Sequence, residues 1–109
     1  MPKYLWQVSY TLAGAQGLKK DGGSARQAAV QKMLEQAGGR LESFYFALGE
    51  SDLFIVADLP DNVSATAISL AVNATGASQL RTIPLITPEE MDAAAKKNIE
   101  YRPPTGVGK

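Results

Sequence analysis

The stretch that decides the fold is FYFALGESDLFIVADLP, residues 44–60. An apolar run leads into the corner GESD at 49–52, and a second apolar run leaves it. Two strands joined by four residues predict an antiparallel hairpin. Because neither strand alternates cleanly between apolar and polar residues, we expect large apolar groups on both faces of the sheet.

The rest of the chain predicts a strand before this hairpin, a strand after it, and helices between them. The predicted strands cover residues 3–11, 40–48, 53–59 and 77–86, and the helices cover about 24–37, 62–75 and 88–97. The glycine-punctuated stretch 12–23 is expected to be a loop or a broken first helical turn. This order is βαββαβ followed by a short C-terminal helix, and Thr87 and Glu90 at its start have the spacing of a capping box. The order predicts an α+β, ferredoxin-like fold with a four-stranded antiparallel sheet. We expect one domain over residues 1–95 and an extended tail over 96–109.

The two faces of such a sheet differ in cover, because two helices can shield only one of them. The second face would expose apolar groups on an unusual scale for a monomer. We therefore expect a homodimer that packs sheet to sheet, with further assembly left open. The alternative is that the terminal helix or the tail folds over the open face of its own chain.

The residue counts exclude several classes of chemistry. The sequence has no cysteine and no histidine, so it excludes disulfides, thiolate nucleophiles, Ser-His-Asp catalysis and ordinary zinc sites. We therefore expect no metal and no cofactor. Eleven basic and eleven acidic residues cancel, which argues against nucleic acid or a membrane as a partner. The chain shows neither a membrane span nor a signal-peptide pattern, so we expect a cytoplasmic protein.

Several stretches together resemble the GYD-domain family, whose members are small bacterial proteins. They include MPKY at 1–4, FYFALGESD at 44–52, RTIPLIT at 81–87 and PEEM at 88–91. The resemblance implies the fold of the dimeric α+β barrels, but it implies no established activity. The family corner reads Gly-x-Tyr-Asp, whereas Ser51 stands at the tyrosine position of this sequence.

Six residues are candidates for ligand binding, each with an alternative structural role. They are Trp6, Ser9, Tyr10, Tyr45, Asp52 and Arg81. The aromatic residues would line a pocket for a flat ligand, or else fill the core or a dimer contact. Asp52 would accept a ligand donor or act as a base, or else bond the backbone of the turn. Arg81 would hold a carboxylate, or else pair with an acid of a partner chain or extend its charged end into water at a sheet edge. Ser9 is a polar exception on an apolar strand and would belong to a small polar cavity, or else hydrogen-bond to its polar neighbours.

Three functions remain open on these grounds. The first is an oligomeric protein that binds or senses a small molecule. The second is a cofactor-independent enzyme of the monooxygenase or isomerase type, in which Asp52, Tyr45 or Arg81 would handle protons and anchor the substrate. The third is a protein–protein interaction module.

Overall fold

The computed structural model describes residues 1–104 and shows a four-stranded antiparallel sheet with four helices. The strands are β1 (Lys3–Tyr10), β2 (Arg40–Phe46), β3 (Leu53–Asp58) and β4 (Ser78–Leu85), and the helices are α1 (Leu12–Asp21), α2 (Gly23–Gln36), α3 (Asn62–Ala74) and α4 (Pro88–Ala95). The strand order is β2-β3-β1-β4 with every neighbouring pair antiparallel. The α+β prediction is confirmed, and this order is compatible with a ferredoxin-like arrangement.

One side of the sheet, the helix side, carries the core. Helix α3 packs against β4, α2 packs against β2, and α1 contacts both α2 and β1. Alternate residues of the strands point towards these helices, as the period of two requires. The buried side chains of this core are Tyr4, Trp6, Val8, Leu53, Ile55, Ala57 and Leu80 from the sheet, with Val30, Leu34, Ala65 and Ile68 from the helices.

The loop predicted for residues 12–23 is wrong, because most of this stretch forms α1. Thr11 caps the helix by accepting a hydrogen bond from the Gly14 amide, and Lys19 and Lys20 suit the negative end of the helix dipole. Gly22 then reverses the chain at a φ of 85°. Helix α1 buries no residue, so an apolar stripe was missing from the sequence and periodicity could not reveal it.

The hairpin connection is longer than the predicted four residues. Strand β2 ends at Phe46, and β3 begins at Leu53, so the connection spans residues 47–52. Asp52 is bonded on both sides. Its amide donates to the Val8 carbonyl at 2.8 Å and its carboxylate accepts from the Tyr10 amide at 2.8 Å, while its carbonyl accepts from the Ala47 amide at 2.8 Å across the hairpin. The end of the connection is therefore bonded to β1 as well as to the residue that follows β2.

Among residues 1–104, no helix packs against the second side of the sheet, the open face, and this face is less apolar than the sequence predicted. A register shift between Leu41 and Ser43 turns Leu41 to the helix side, where it packs on the core. The open face holds apolar Leu5, Tyr45, Phe54, Val56, Ile83 and Leu85, interleaved with polar Gln7, Ser9, Ser43, Gln79 and Arg81. The open face therefore mixes apolar and polar groups.

An ion-pair cluster closes one end of the open face. Lys3 pairs with Glu42 and, at 2.9 Å, with Asp58, and Arg40 reaches Asp58 at 3.2 Å. The Asp58 carboxylate is buried, and its hydrogen bond from Lys3, assisted by Arg40, holds its pKa below the usual 3.8. The same cluster raises the pKa of Lys3, chiefly through its hydrogen bond to Glu42.

The chain continues beyond the sheet as α4 and an extended segment. The capping box predicted at Thr87 and Glu90 is confirmed, since each side chain bonds the backbone amide of the other. Helix α4 buries no residue. Within the residues that the structure describes, no helix is long and apolar enough to cross a membrane. Part of the predicted tail, residues 105–109, lies outside the described residues.

Candidate functional site

A cavity of about 430 Å³, here called the helix-side cavity, lies between the sheet and the helices. Its floor is formed by β1, β3 and β4, and its walls are formed by α1, α2 and the end of α3. The floor includes Trp6, Val8, Leu53, Ile55 and Leu80. The cavity is therefore set directly on the core of the domain and is lined mainly by apolar groups.

The cavity is present because the residues of α1 and α2 that line it have short side chains. Ala13, Gly14 and Gly17 line it from α1, and Ala25 and Ala29 line it from α2. Larger side chains at these positions would fill the space against the sheet, since protein interiors close-pack wherever side-chain volume allows. A Cβ atom added at Gly17 would meet no atom within 4 Å, so this wall has room to spare.

Close backbone contact holds α1 beside the cavity. The Thr11 amide and hydroxyl both donate to the Ala77 carbonyl at 3.0 Å, at the entry to β4. A Cβ atom added at Gly14 would stand 2.0 Å from that carbonyl oxygen. Only glycine allows the helix to approach this closely, so Gly14 fixes the distance between α1 and the sheet.

Three of the side chains that line the cavity carry ionisable groups: Tyr10, Asp21 and Arg26. Burial is the main cause that raises the pKa of the Tyr10 hydroxyl above 10.0; Asp52 raises it further, and Arg26 opposes the shift. Neither Asp21 nor Arg26 forms an ion pair within residues 1–104. The cavity therefore presents a neutral phenol and an unpaired guanidinium beside an apolar floor.

Two buried polar atoms near the floor have no hydrogen-bond partner among the described residues. They are Trp6 Nε1 and Thr82 Oγ1, and their residues lie opposite each other in the β1–β4 register. An unsatisfied buried donor or acceptor costs about 1–3 kcal/mol. Buried polar atoms of folded proteins usually have a partner, and bound water or a ligand can supply it.

A second concavity of about 590 Å³, here called the cup, lies on the open face. It is lined by Gln7, Ser9, Phe54, Gln79 and Arg81 from the strands and by residues 47–51 of the hairpin connection. The Ser9 hydroxyl donates to the Glu50 carbonyl at 3.3 Å, which ties the connection to the sheet. Arg81 forms no ion pair in the described part of the chain.

A family model described as GYD domain matches residues 4–95 of the 109-residue chain. The chain belongs to the GYD-domain family. The match covers every strand and α1 to α4, and it confirms the resemblance drawn from the sequence motifs. No curated protein matches this GYD-domain chain.

The six predicted site residues of this GYD-domain chain do not form a single site. Trp6 and Tyr10 line the helix-side cavity, whereas Ser9 and Arg81 line the cup on the opposite face. Tyr45 is 73 % exposed and lines neither of the two. The structure therefore separates the six residues by the thickness of the sheet.

Asp52 lies between the two sites in a structural role. Its carboxylate accepts a hydrogen bond from the Tyr10 amide. This contact resembles the alternative role expected from the sequence, but the bonded backbone is that of β1 and not that of the turn. Ser51, the residue beside it, lines the cup. A tyrosine there, as in the family corner, would occupy part of the cup.

Sequence reasoning missed Arg26 and Asp21 as cavity residues. Arg26 precedes Val30 and Met33 by four and seven residues, so it continues the inner stripe of α2. A charged residue on an apolar stripe was the available signal. Asp21 carried no such signal, because α1 itself was not recognised. Among residues 1–104, no group of three or more acidic, histidine or cysteine side chains could hold a metal ion.

Proposed function

We propose that this GYD-domain chain binds a small, largely apolar organic molecule in the helix-side cavity. The single observation that carries the proposal is an apolar cavity of about 430 Å³ beside unpaired polar side chains. This volume lies within the range of about 300–1,000 Å³ that is usual for small-molecule sites. Cavities of this kind, with few polar groups, orient a ligand by its polar end.

The polar groups favour a ligand with one negative charge. Arg26 has no ion pair within residues 1–104, and a guanidinium binds a carboxylate through paired N–H groups. The neutral Tyr10 hydroxyl can donate to the same group. Asp21 lines the same part of the cavity and would repel a second negative charge. A flat or branched monocarboxylate therefore fits this chemistry best.

Binding without catalysis accounts for the arrangement better than the enzyme hypothesis does. Asp52 is engaged by the backbone of β1, Arg81 lies in the cup, and Tyr45 is largely exposed. These three side chains are the ones that the enzyme hypothesis assigned to proton handling and anchoring. They do not converge on one substrate position, as a catalytic group requires.

We also propose that the protein works as a homodimer through the open face. Within residues 1–104, no helix covers this face, and Tyr45, Ile83 and Leu85 are exposed on it. Apolar groups that share one surface favour association, because contact removes them from water. The polar cup would then lie within the dimer contact.

Isothermal titration calorimetry with 1-naphthoate tests the ligand proposal, because this probe joins a flat apolar body to one carboxylate. The variant G17L places a side chain in the open wall of the cavity, and we expect it to abolish binding. Leucine also favours a helix over glycine by about 0.5–1 kcal/mol, so loss of binding should come with equal or higher stability. R26Q should weaken binding about tenfold, which corresponds to about 1.4 kcal/mol.

Two matched variants control for non-specific effects. A15L places the same side chain on α1 at a residue that does not line the cavity, and R81Q removes an arginine from the opposite face. Both should bind 1-naphthoate like the wild type. The proposal is wrong if G17L binds as well as A15L, or if R81Q and R26Q have equal effects.

A further inference from the structure

The C-terminal part of the described chain, residues 86–104, lies apart from the core and is here called the arm. It comprises α4 and the segments on either side of it. Four large apolar side chains of the arm, Ile86, Met91, Ile99 and Tyr101, are between 55 and 79 % exposed. The capping box stabilises the start of α4, but the helix has no buried residue and so buries no side chain against residues 1–104.

The dimensions of the chain support this description. Its radius of gyration is 17.6 Å, and its longest extent is 57 Å. A compact domain of this length has a radius of gyration of about 13 Å. The arm thus extends the molecule instead of folding back over its own sheet. Apolar side chains therefore stay exposed on the arm and on the open face.

The open face offers a surface that the arm can complement. The arm leaves the sheet from β4, an edge strand. Ile83 and Leu85, near the point of departure, are exposed on the open face. Arg81 on the same face has no ion pair among the described residues, and Glu89 and Asp92 on α4 have none either. Apolar side chains are therefore exposed on both the arm and the open face. The acidic start of α4 is complementary in charge to Arg81, whereas Lys96 and Lys97 after the helix are not.

We propose that the arm of one copy packs across the open face of a second copy, and that the second arm returns the contact by two-fold symmetry. This inference rests on the homodimer proposed above and names the segment that completes it. Each copy would then contribute its 19 arm residues and about ten residues of its open face. That number agrees with the roughly 20–30 residues per side of a stable interface.

The arm is long enough for this role. Its eight-residue helix spans about 12 Å. The nine residues that follow it to position 104 span up to about 30 Å when extended. Four strands are only about 15 Å wide, at about 4.8 Å between neighbours. An exchanged arm can therefore cross the whole sheet of its partner.

Cysteine cross-linking tests the proposal cleanly, because the natural chain has no cysteine. The variant Y101C places a thiol on the arm, and I83C places one on the open face. The two proteins, one of them labelled with ¹⁵N, are mixed and oxidised, and the products are weighed by mass spectrometry. We expect the mixed dimer to exceed both homodimers, and the double variant Y101C/I83C to form links between chains.

The control is L70C, on an exposed leucine of α3 in the helix layer. It should give at least tenfold less mixed product with Y101C than I83C does. Two results would overturn the inference. One is a link within a single chain of the double variant, which would show the arm on its own sheet. The other is equal cross-linking of Y101C to L70C and I83C.

Sedimentation of the full-length protein separates this inference from the dimer proposal. We expect a wild-type dimer and a dissociation constant at least tenfold weaker in the variant I99D/Y101D. A dimer that is equally tight in the variant would refute the role of the arm and leave the dimer intact. A wild type that stays monomeric at 100 μM would refute both.

Discussion

The two faces of the sheet differ in what covers them, and the difference begins between adjacent residues. Trp6 points to the helix side, where it is buried and lines the helix-side cavity. Gln7, the next residue of β1, points to the open face and lines the cup. Strand β1 thus lines a ligand-sized cavity on one side, and on the other side it forms part of a surface that holds both polar and apolar groups.

This comparison indicates that the helix side stabilises the fold, whereas the open face serves association. Nearly all fully buried side chains of the described residues lie on the helix side or in the helices above it. The open face contributes exposed or half-buried groups, which add stability only when a second surface covers them. We therefore expect substitutions on the helix side to change folding, and substitutions on the open face to change assembly.

The largest difference should appear between I55A and I83A. Ile55 is 2 % exposed on the helix side, and Ile83 is 37 % exposed on the open face. Truncating a buried isoleucine costs about 2–5 kcal/mol of unfolding free energy, so I55A should be strongly destabilised. I83A should cost under about 1 kcal/mol in dilute protein and should weaken the dimer. Urea unfolding at low concentration, combined with sedimentation, measures both effects; equal unfolding costs would contradict the division.

A second pair of variants tests how α1 is held over the cavity. G14A forces a Cβ atom to 2.0 Å from the Ala77 carbonyl oxygen, whereas G17A meets no atom within 4 Å. Overpacking of this kind costs about 1–3 kcal/mol, and alanine in place of a free helical glycine gains about 0.5–1 kcal/mol. Thermal unfolding should therefore shift in opposite directions. A stabilised G14A would show that α1 does not approach the sheet as described.

The ion-pair cluster predicts a pH dependence that the cavity does not share. Because the pKa of Asp58 lies below its ordinary 3.8 in the folded chain, its contribution is fully present above pH 3.8 and is lost as the pH falls through the lower folded value. D58N should lower the unfolding free energy by about 1–2 kcal/mol at pH 7, because Lys3 and Arg40 lose a charged hydrogen-bond acceptor and regain only water in its place. The gap between variant and wild type should narrow in urea titrations below pH 3.8. A constant gap would contradict the pairing.

The smallest effect on stability should come from the two unpaired arginines. Arg26 and Arg81 are both exposed and form no ion pair within residues 1–104. R26Q and R81Q should each change the unfolding free energy by less than about 0.5 kcal/mol. Their functional effects should differ, because R26Q should weaken 1-naphthoate binding and R81Q should weaken the dimer. If both variants changed the same property, the two faces would not be independent.

The sequence predicted the features that depend on strong local signals. The apolar hairpin, the order of strands and the capping box of α4 all follow from short stretches whose residues leave few alternatives. Helix α1 was missed because it buries nothing. Strict alternation along β2 would put Leu41 on the same face as Tyr45, whereas the register shift turns it to the helix side and leaves no trace in composition. Alternation alone cannot reveal a bulge.

The candidate site was harder to predict, because its cavity results from residues with very small side chains. Five glycine and alanine positions on α1 and α2 create the helix-side cavity, and small residues in a sequence look the same whether they meet a neighbour or a void. Trp6 and Tyr10 were predicted from their aromatic character and do line the cavity. Arg26 joins them only once both helices are in place.

The central claim is that the helix-side cavity admits a ligand, and the single tryptophan allows a direct test. Its indole N–H gives one resonance in a ¹H–¹⁵N correlation spectrum, and Trp6 forms part of the cavity floor. We predict that 1-naphthoate shifts this resonance saturably in the wild type and in R81Q, but not in G17L. An unmoved resonance in the wild type, or the same shift in G17L, would contradict the account.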